Sequence, residues 1–329
     1  MQLSLKAVLE NKLSNIKVDV VIPVYKPDKE LRELLQKLQK QTHPVNRVII
    51  INTDKQYFSD DYCVMPNMEV VHITRDEFDH GATRNMGIEL CQGEYVLLMT
   101  MDAIPENEYL VEELLKAHVN NRENSPVAVS YARQLPREDC RLMEEYTRIY
   151  NYPEESMVKT KADVSRLGIK AYFCSDVCAM YNKEIYMKLG GFVSKAIFNE
   201  DMIFAAKAIN NGYGIAYCAD ARVIHSHNYT VKQQFSRNFD MGVSQSLHPE
   251  VFDGIKSEGE GIRLVKNTAG YLFKKGHWYE IPYLVITSAA KYLGYRRGMN
   301  FKKLSPKKIR KYTMNISYWN DYGECNNCD

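Results

Sequence analysis

Three short stretches carry residues whose types and spacing could do chemistry. EYVLLMTMDAIP (94–105) is an apolar run that ends on one carboxylate, Asp102, just before Pro105. A strand interior has no use for an unpaired Asp, because burying a lone charge is costly. The plain alternative is that Asp102 caps the next helix. The triplet Asn199, Glu200, Asp201 opens FNEDMIFAAKAINNGY (198–213), where the helix dipole alone would favour acids in the first turn. The third stretch is HSH in ARVIHSHNYT (221–230), which on a strand turns His225 and His227 to one face. Taken jointly, a strand-end Asp with one or two His can hold a divalent cation and leave positions open for phosphate oxygens. A separate carboxylate can take the proton of a hydroxyl. Those are the tools for displacing a nucleoside diphosphate.

The elements that must position these groups alternate. VDVVIPV (18–24), RVIII (47–51), MEVVHI (68–73) and YVLLMT (95–100) read as strands. Between them PDKELRELLQKLQKQ (27–41) places Leu31, Leu34, Leu35 and Leu38 on one helical stripe, and GATRNMGIELC (81–91) and NEYLVEELLKAHV (107–119) read as further helices. Strands without internal alternation, separated by helices, predict a parallel sheet covered on both faces, with ligands beyond the carboxyl ends of the strands. Asp102 sits at such an end. Further on, SPVAVSYARQ (125–134) reads as a strand, DCRLMEEYTRIY (139–150) as a helix and AYFCSDVCAMY (171–181) as a strand running into a turn; 230–247 and 262–300 look helical.

The 329 residues are ample for a full core, and 45% hydrophobic with 26% charged residues is ordinary for a globular chain. The charged N-terminal stretch reads as no signal peptide, and IPYLVITSAA (281–290) is about half the ~20 residues a spanning helix needs. The expectation is a soluble, intracellular protein. Cys91, Cys140, Cys174, Cys178 and Cys218 sit among apolar or aromatic neighbours, as small hydrophobes do. The CNNC tail (Cys325, Cys328) has half a zinc site's spacing and nothing to complete it, so it reads as exposed tail; Cys63 has no assignment.

The stretch VDVVIPVYKPDKELRELLQKLQKQ resembles the opening of family-two glycosyltransferases, and FDHGATRNMGIELCQGEYVLLMTMDAIP resembles their rhamnosyltransferase branch, which builds bacterial cell-wall and capsular polysaccharides. LGGF, the NED triplet and VIHSHNYT follow in the family's order, so the likeness covers roughly residues 17 to 247. It implies an α/β GT-A fold, a Rossmann-like nucleotide-sugar-binding sheet flanked by helices with a mostly helical C-terminal extension. It implies three regions: a lead-in over 1–16, the catalytic domain over 17–229, and a helical, basic region over 230–329. The implied reaction is inverting transfer of a sugar, from dTDP-β-L-rhamnose in this branch.

Carried over by position, Asp102 is the metal-binding Asp that closes the family's DxD-type motif, with Thr100 at its upstream carboxylate position. A bound Mg²⁺ or Mn²⁺ then needs a second ligand, His225 first and His227 as alternate. Asp201 corresponds to the catalytic base, and Glu200 beside it binds or orients the acceptor. Pro23, Val24 and Tyr25 match the nucleotide cradle; Arg84 and Asn85 match donor contacts, Arg84 as a bidentate clamp on the diphosphate, and Met101 accompanies Asp102 in the donor loop. Many relatives place an acid directly after the second strand; here the sequence is IIINTDKQ, so either Asn52 or Asp54 meets the base, leaving dTDP and UDP donors both open. Ser175 and Asp176 fall where relatives line the acceptor pocket.

Between Glu280 and Asp321 there is no acidic residue, whereas Lys291, Arg296, Arg297, Lys302, Lys303, Lys307, Lys308, Arg310 and Lys311 are basic, interleaved with Tyr292, Tyr295, Phe301 and Tyr312. A net charge of +2 and no recognisable nucleic-acid motif argue against DNA or RNA. The segment reads instead as a surface for anionic lipid on the inner face of the plasma membrane, suiting a lipid-linked or oligosaccharide acceptor. Oligomeric state stays open, because its Tyr-rich helices could pack on the main domain, on a second subunit or on lipid. Among rivals, a UDP-hexose or UDP-HexNAc transferase keeps the fold and mechanism. A nucleotidyltransferase would want a glycine-rich phosphate loop where VIPVYKPDKE has no glycine, and an inactive sugar-binding protein would have little reason to keep Asp102, Asp201 and the His pair.

Overall fold

The computed structural model describes residues 13–120, 125–253 and 258–320. Most of the lead-in and the CNNC tail with Cys325 and Cys328 lie outside the described residues. Strands β1 (Val18–Tyr25), β2 (Arg47–Thr53), β3 (Met68–Ile73), β4 (Tyr95–Met99), β5 (Ile104–Pro105), β6 (Val127–Leu135), β7 (Met157–Lys159), β8 (Cys178–Asn182) and β9 (Gly214–Ile224) form one sheet in the order β3-β2-β1-β4-β8-β6-β9-β5, with β7 on β9. The helices are α1 (Lys29–Leu38), α2 (His80–Leu90), α3 (Leu110–Asn120), α4 (Leu142–Asn151), α5 (Lys183–Lys188), α6 (Glu200–Asn210), α7 (Val231–Leu247), α8 (Glu258–Lys274), α9 (Ile281–Met299) and α10 (Pro306–Tyr312), with shorter turns between them.

The continuous apolar runs of β1, β2 and β4 are buried because helices cover both faces of the sheet. On one side α1 contributes the leucine stripe Leu31, Leu34, Leu35 and Leu38. Asp28 starts that helix by accepting from the Glu30 N–H at 2.8 Å. On the other side α2 lies close against β1: a Cβ on Gly87 would meet Val21 Cγ1 at 2.3 Å, so glycine sets that approach.

The sheet is mixed rather than wholly parallel. β1, β2, β3 and β4 run parallel, and β6 pairs parallel with β9, but β8 enters antiparallel between β4 and β6. This inversion corrects the reading of 171–181: a turn comes first and the strand starts only at Cys178. It also has a functional consequence. The carboxyl ends of β1, β2, β4, β6 and β9 all lie on one edge, and because β8 is inverted, the residues preceding it, Ser175 and Asp176, arrive at that same edge.

The C-terminal helices pack as a unit. α7 and α9 meet backbone to backbone; a Cβ on Gly294 would lie 2.2 Å from the Phe235 carbonyl oxygen, and one on Gly298 2.1 Å from that of Phe239. Ile197, Phe239, Val243, Phe301, Ile309 and Trp319 form a small core that ties these helices to the loop just before Asn199. Asp240, buried on α7, accepts from Thr313 Oγ1 at 2.6 Å and the Met314 N–H at 2.8 Å, fastening the segment after α10.

Candidate functional site

Asp102 lies three residues beyond β4, with its side chain 16% exposed. Its Oδ2 is 3.5 Å from His225 Nε2 and 3.3 Å from His227 Nε2. The two histidines do not lie on a strand, as their pattern suggested, because β9 ends at Ile224. They converge on Asp102 nonetheless, their rings 4.7 Å apart and nearly perpendicular at 86°.

The surroundings decide which ring nitrogen carries hydrogen. Arg148 Nη1, which can only donate, bonds Gln134 Oε1 at 2.5 Å, and this fixes the orientation of the Gln134 amide. The same oxygen lies 3.2 Å from His225 Nδ1, so Nδ1 carries the hydrogen and donates it; the tautomer is assigned from this network. His225 Nε2 is thereby turned toward the Asp102 carboxylate. A histidine whose second nitrogen donates to a carbonyl oxygen is the usual form of a metal ligand, so Nε2 is placed to offer its lone pair to a cation shared with Asp102.

Electrostatics prepare the same donor set. Burial pushes the Asp102 carboxyl up, but the two histidine rings close to it, His225 first and then His227, outweigh burial and hold Asp102 far below the ordinary carboxylate range. Burial, aided by the charge of His225, pushes His227 down to about 4. At neutral pH this is one carboxylate beside a neutral His227. The ligand atoms of Asp102, His225 and His227 lie within 4.8 Å of one another, so the residues present fit a divalent ion.

Around them is a pocket lined by Glu30, Asp102, Arg137, Asp139, Ser226, His227 and Asn228. Arg137 forks onto the Glu30 carboxylate, and its Nη2 donates to the Asp102 carbonyl at 2.9 Å, clamping the turn that presents Asp102. Sequence reasoning missed Gln134, Arg137 and Glu30. Gln134 and Arg137 lie at and just beyond the carboxyl end of β6, so the strand-end rule that selected Asp102 would also have flagged them.

The second cluster is acidic. Asn199, at φ +64° before α6, aims the first turn of that helix, and this left-handed conformation is uncommon for a residue other than glycine. Glu200 Oε1 meets Arg84 Nη1 at 3.2 Å, and Asp176 Oδ2 lies 3.3 Å from Arg84 Nε. Asp201 accepts from the Asp176 N–H at 3.3 Å and the Met202 N–H at 2.7 Å, while the Tyr181 hydroxyl donates to Asp176 at 2.5 Å. Two carboxyls therefore share one guanidinium, and Asp201 is held beside them. Burial first, then the charges of Asp176 and Glu200, push Asp201 well above the usual range. Burial also raises Asp176, against the pull of Arg84. The two clusters are joined: Gln134 Nε2 donates to Ser175 Oγ at 2.9 Å, and the next residue, Asp176, contacts Asp201.

Several expected donor contacts turn inward instead. Arg84 has a side chain only 8% exposed and bonds Asp176, Glu200 and, at 2.9 Å, the His80 carbonyl, so it serves the acids rather than a diphosphate. Asn85 is used up within the fold: its Nδ2 donates to the Phe192 carbonyl at 3.0 Å, and its Oδ1 accepts from the Tyr186 hydroxyl and the Phe192 N–H. That fastens LGGF, where Gly191 sits at φ +64° against the same Oδ1. Val24 belongs to the core and Met101 packs on it. Asn52 is fully buried, 3.1 Å from His72 Nδ1, because it ends a central strand. Pro23 and Tyr25 at the end of β1 and Asp54 just after β2 remain partly exposed, and Tyr25 meets Tyr57 edge-on at 5.8 Å.

Comparison with known proteins bears on this geometry. Residues 19–190 match the model of Glycosyl transferase family 2. The O-antigen chain rhamnosyltransferase WbaN of Salmonella anatum is 36% identical over 307 residues, 92% of this chain and 95% of that protein. The O-antigen chain rhamnosyltransferase RfbN of Salmonella typhimurium is 34% identical over 315 residues, 93% of this chain and 97% of that one. The solved structure of the mannosyltransferase PcManGT from Pyrobaculum calidifontis, in complex with GDP-Man and Mn²⁺, aligns with a TM-score of 0.50 at 14% identity, over 94% of this chain and 88% of that chain. At that identity the likeness speaks for the fold alone.

Proposed function

The chain belongs to glycosyl transferase family 2, and we propose that this glycosyltransferase moves L-rhamnose from dTDP-β-L-rhamnose onto a hydroxyl of a lipid-linked surface-polysaccharide precursor. The observation that carries the sugar assignment is the near-full-length identity to two O-antigen rhamnosyltransferases. The chemistry rests on the two joined clusters.

Asp102, His225 and His227 would hold the metal, and two imidazoles beside one carboxylate suit Mn²⁺ better than Mg²⁺. A divalent ion there supplies positive charge for the departing nucleoside diphosphate. Asp201 takes the proton of the acceptor hydroxyl as the new C1–O bond forms and the bond to the diphosphate breaks, a single displacement that inverts the anomeric carbon. Glu200 and Asp176, held on Arg84, orient the acceptor and keep Asp201 basic. With Asn52 buried, Asp54 is the candidate for the nucleobase contact.

The purified protein with Mn²⁺, offered dTDP-rhamnose, UDP-glucose, UDP-galactose and UDP-N-acetylglucosamine in parallel, should release nucleoside diphosphate from dTDP-rhamnose. Release from a UDP-sugar instead would overturn the rhamnosyl assignment and retain the family.

The acidic cluster predicts a pH effect. A base whose pKa is raised by burial and by its neighbours' negative charge loses activity, as pH falls, already above the ordinary carboxylate range. Removing one of those charges lowers its pKa. Asp176→Asn should therefore shift the acid limb of log kcat/KM to lower pH. A limb that stays in place, or moves up, would take Asp176 out of this role.

Membrane docking is part of the same proposal. No helix among the described residues is long and apolar enough to cross a membrane. Phe273, Trp278, Tyr279, Val285, Ile286 and Leu293 are exposed along α8, the turn after it and α9. Lys302, Lys303, Lys307, Lys308, Arg310 and Lys311 are also exposed. Phe301 and Tyr312, expected at this surface, instead pack in the small C-terminal core around Phe239, so the exposed aromatics before and on α9 take their place. An apolar strip near basic side chains fits an anionic inner leaflet. The protein should co-sediment with phosphatidylserine-containing vesicles and lose them on Lys302→Glu with Lys303→Glu or on Trp278→Ala; unchanged binding in both variants would reject this surface.

A further inference from the structure

Glu200 and Asp201 stand on the first turn of α6, and that turn is not aimed by a cap of its own. Asn199 before it holds φ +64°, and its side chain makes no capping hydrogen bond. Its Nδ2 is buried and finds no partner among the described residues. A left-handed residue with an unsatisfied amide persists only where its surroundings hold it.

The groups that hold it come from the far end of the chain. Ser244 Oγ of α7 donates to the Phe198 carbonyl at 2.5 Å. Asn315 Nδ2, beyond α10, donates to the Ile197 carbonyl at 3.3 Å. The two carbonyls that precede Asn199 are thus tied to residues 46 and 118 positions further along. Their side chains are tied as well. Ile197 shares the small core with Phe239, Val243 and Trp319, and the Arg237 guanidinium of α7 lies 4.6 Å from the centre of the Phe198 ring.

Asn315 is itself positioned. Buried Asp240 accepts from Thr313 Oγ1 and the Met314 N–H, and its Oδ2 lies 3.3 Å from Asn315 Nδ2. Both neighbours of that nitrogen are acceptors, so its two hydrogens serve Asp240 and Ile197 together and fix the orientation of the amide. Behind them α7 is locked on α9 by the close approaches at Gly294 and Gly298. A brace this rigid matters to chemistry, because moving a reacting group by about 1 Å can cost on the order of 10²-fold in rate.

We infer that Ser244 and Asn315 are positioning residues for the transfer, through which the C-terminal helices set where Glu200 and Asp201 stand. The inference deepens the reading of Asp201 as the base and rests on it.

The test uses the full chain and substitutions that leave the acids untouched: Ser244→Ala, Asn315→Ala and the double variant. The probe is dTDP-rhamnose with Mn²⁺, water standing in for the acceptor hydroxyl, and dTDP release is followed. In each single variant kcat should fall roughly tenfold, as for one lost hydrogen bond to a buried carbonyl, and further in the double variant. Binding of dTDP with Mn²⁺ should match the wild type. A loosened first turn admits water to Asp201 among Asp176, Glu200, Arg84 and Tyr181, which relieves the burial that raises its pKa. The acid limb of log kcat/KM should therefore move to lower pH. A role in stability alone would lower the thermal midpoint and leave that limb in place. Ser244→Cys nearly keeps the volume with a weaker donor, so it should fall between the wild type and Ser244→Ala.

Hydrogen exchange decides independently of turnover. Peptides covering 198–204, which include the Ile203 N–H bonded to the Asn199 carbonyl at 2.9 Å, should exchange roughly tenfold faster in each variant. Wild-type exchange there, or a wild-type kcat and acid limb in the double variant, would overturn the inference. Failure of the rhamnosyl reading would look different: faster exchange in the variants, with no dTDP released by the wild type.

Discussion

Asp201→Asn should cost about 10²–10⁴-fold in kcat, the range a general base supplies, while Mn²⁺-dependent donor binding stays near wild type. Asparagine keeps the size of the side chain, and its oxygen can still accept from the Met202 N–H, a bond of 2.7 Å in the wild type. The amide nitrogen then faces the Asp176 N–H, the longer contact at 3.3 Å, so little is lost locally. Removing a carboxyl from beside Asp176 and Glu200 also relieves like-charge repulsion, so thermal stability should hold or rise. That combination separates loss of chemistry from loss of fold. Near-wild-type turnover in this variant would remove Asp201 from the role of base.

The second large effect is expected at the metal-ligand cluster. Asp102→Ala leaves two imidazoles and no carboxylate, and Mn²⁺ affinity should fall by at least ~100-fold, since even groups that only orient a ligand are worth about 10–100-fold. Turnover at limiting Mn²⁺ should fall with it. The side chain is partly exposed and its carbonyl still receives Arg137, so the turn survives the substitution. Electron paramagnetic resonance of free Mn²⁺ would read the affinity directly. Wild-type affinity in Asp102→Ala would place the ion elsewhere.

What the sequence disclosed and what it hid follow from how local each signal is. The leucine stripe of α1 and the apolar runs of β1, β2 and β4 are local patterns, and they appear in the structure as read. The inverted strand β8 is not local: its direction is set by its neighbours β4 and β6, so 171–181 could be read with its turn at the wrong end. The convergence of Asp102 with His225 and His227 was visible as a strand-end acid and a two-residue spacing, although both histidines lie beyond the strand. Arg84 shows the opposite. Its motif suggested a phosphate clamp, but the acids that claim it, Asp176 and Glu200, are 92 and 116 positions away in the chain, and only the folded sheet edge brings them together. Gln134 escaped notice for the same reason, since its importance depends on Arg148 and His225 around one amide oxygen.

The division of labour between the two clusters has one direct test, calorimetric titration of dTDP with Mn²⁺ into wild type, Asp102→Ala and Asp201→Asn. Asp201→Asn should bind as the wild type does, with Asp102→Ala at least ~10-fold weaker and no longer sensitive to EDTA. Wild-type binding in Asp102→Ala, or an equal loss in both variants, would contradict the assignment of donor binding to one cluster and proton transfer to the other.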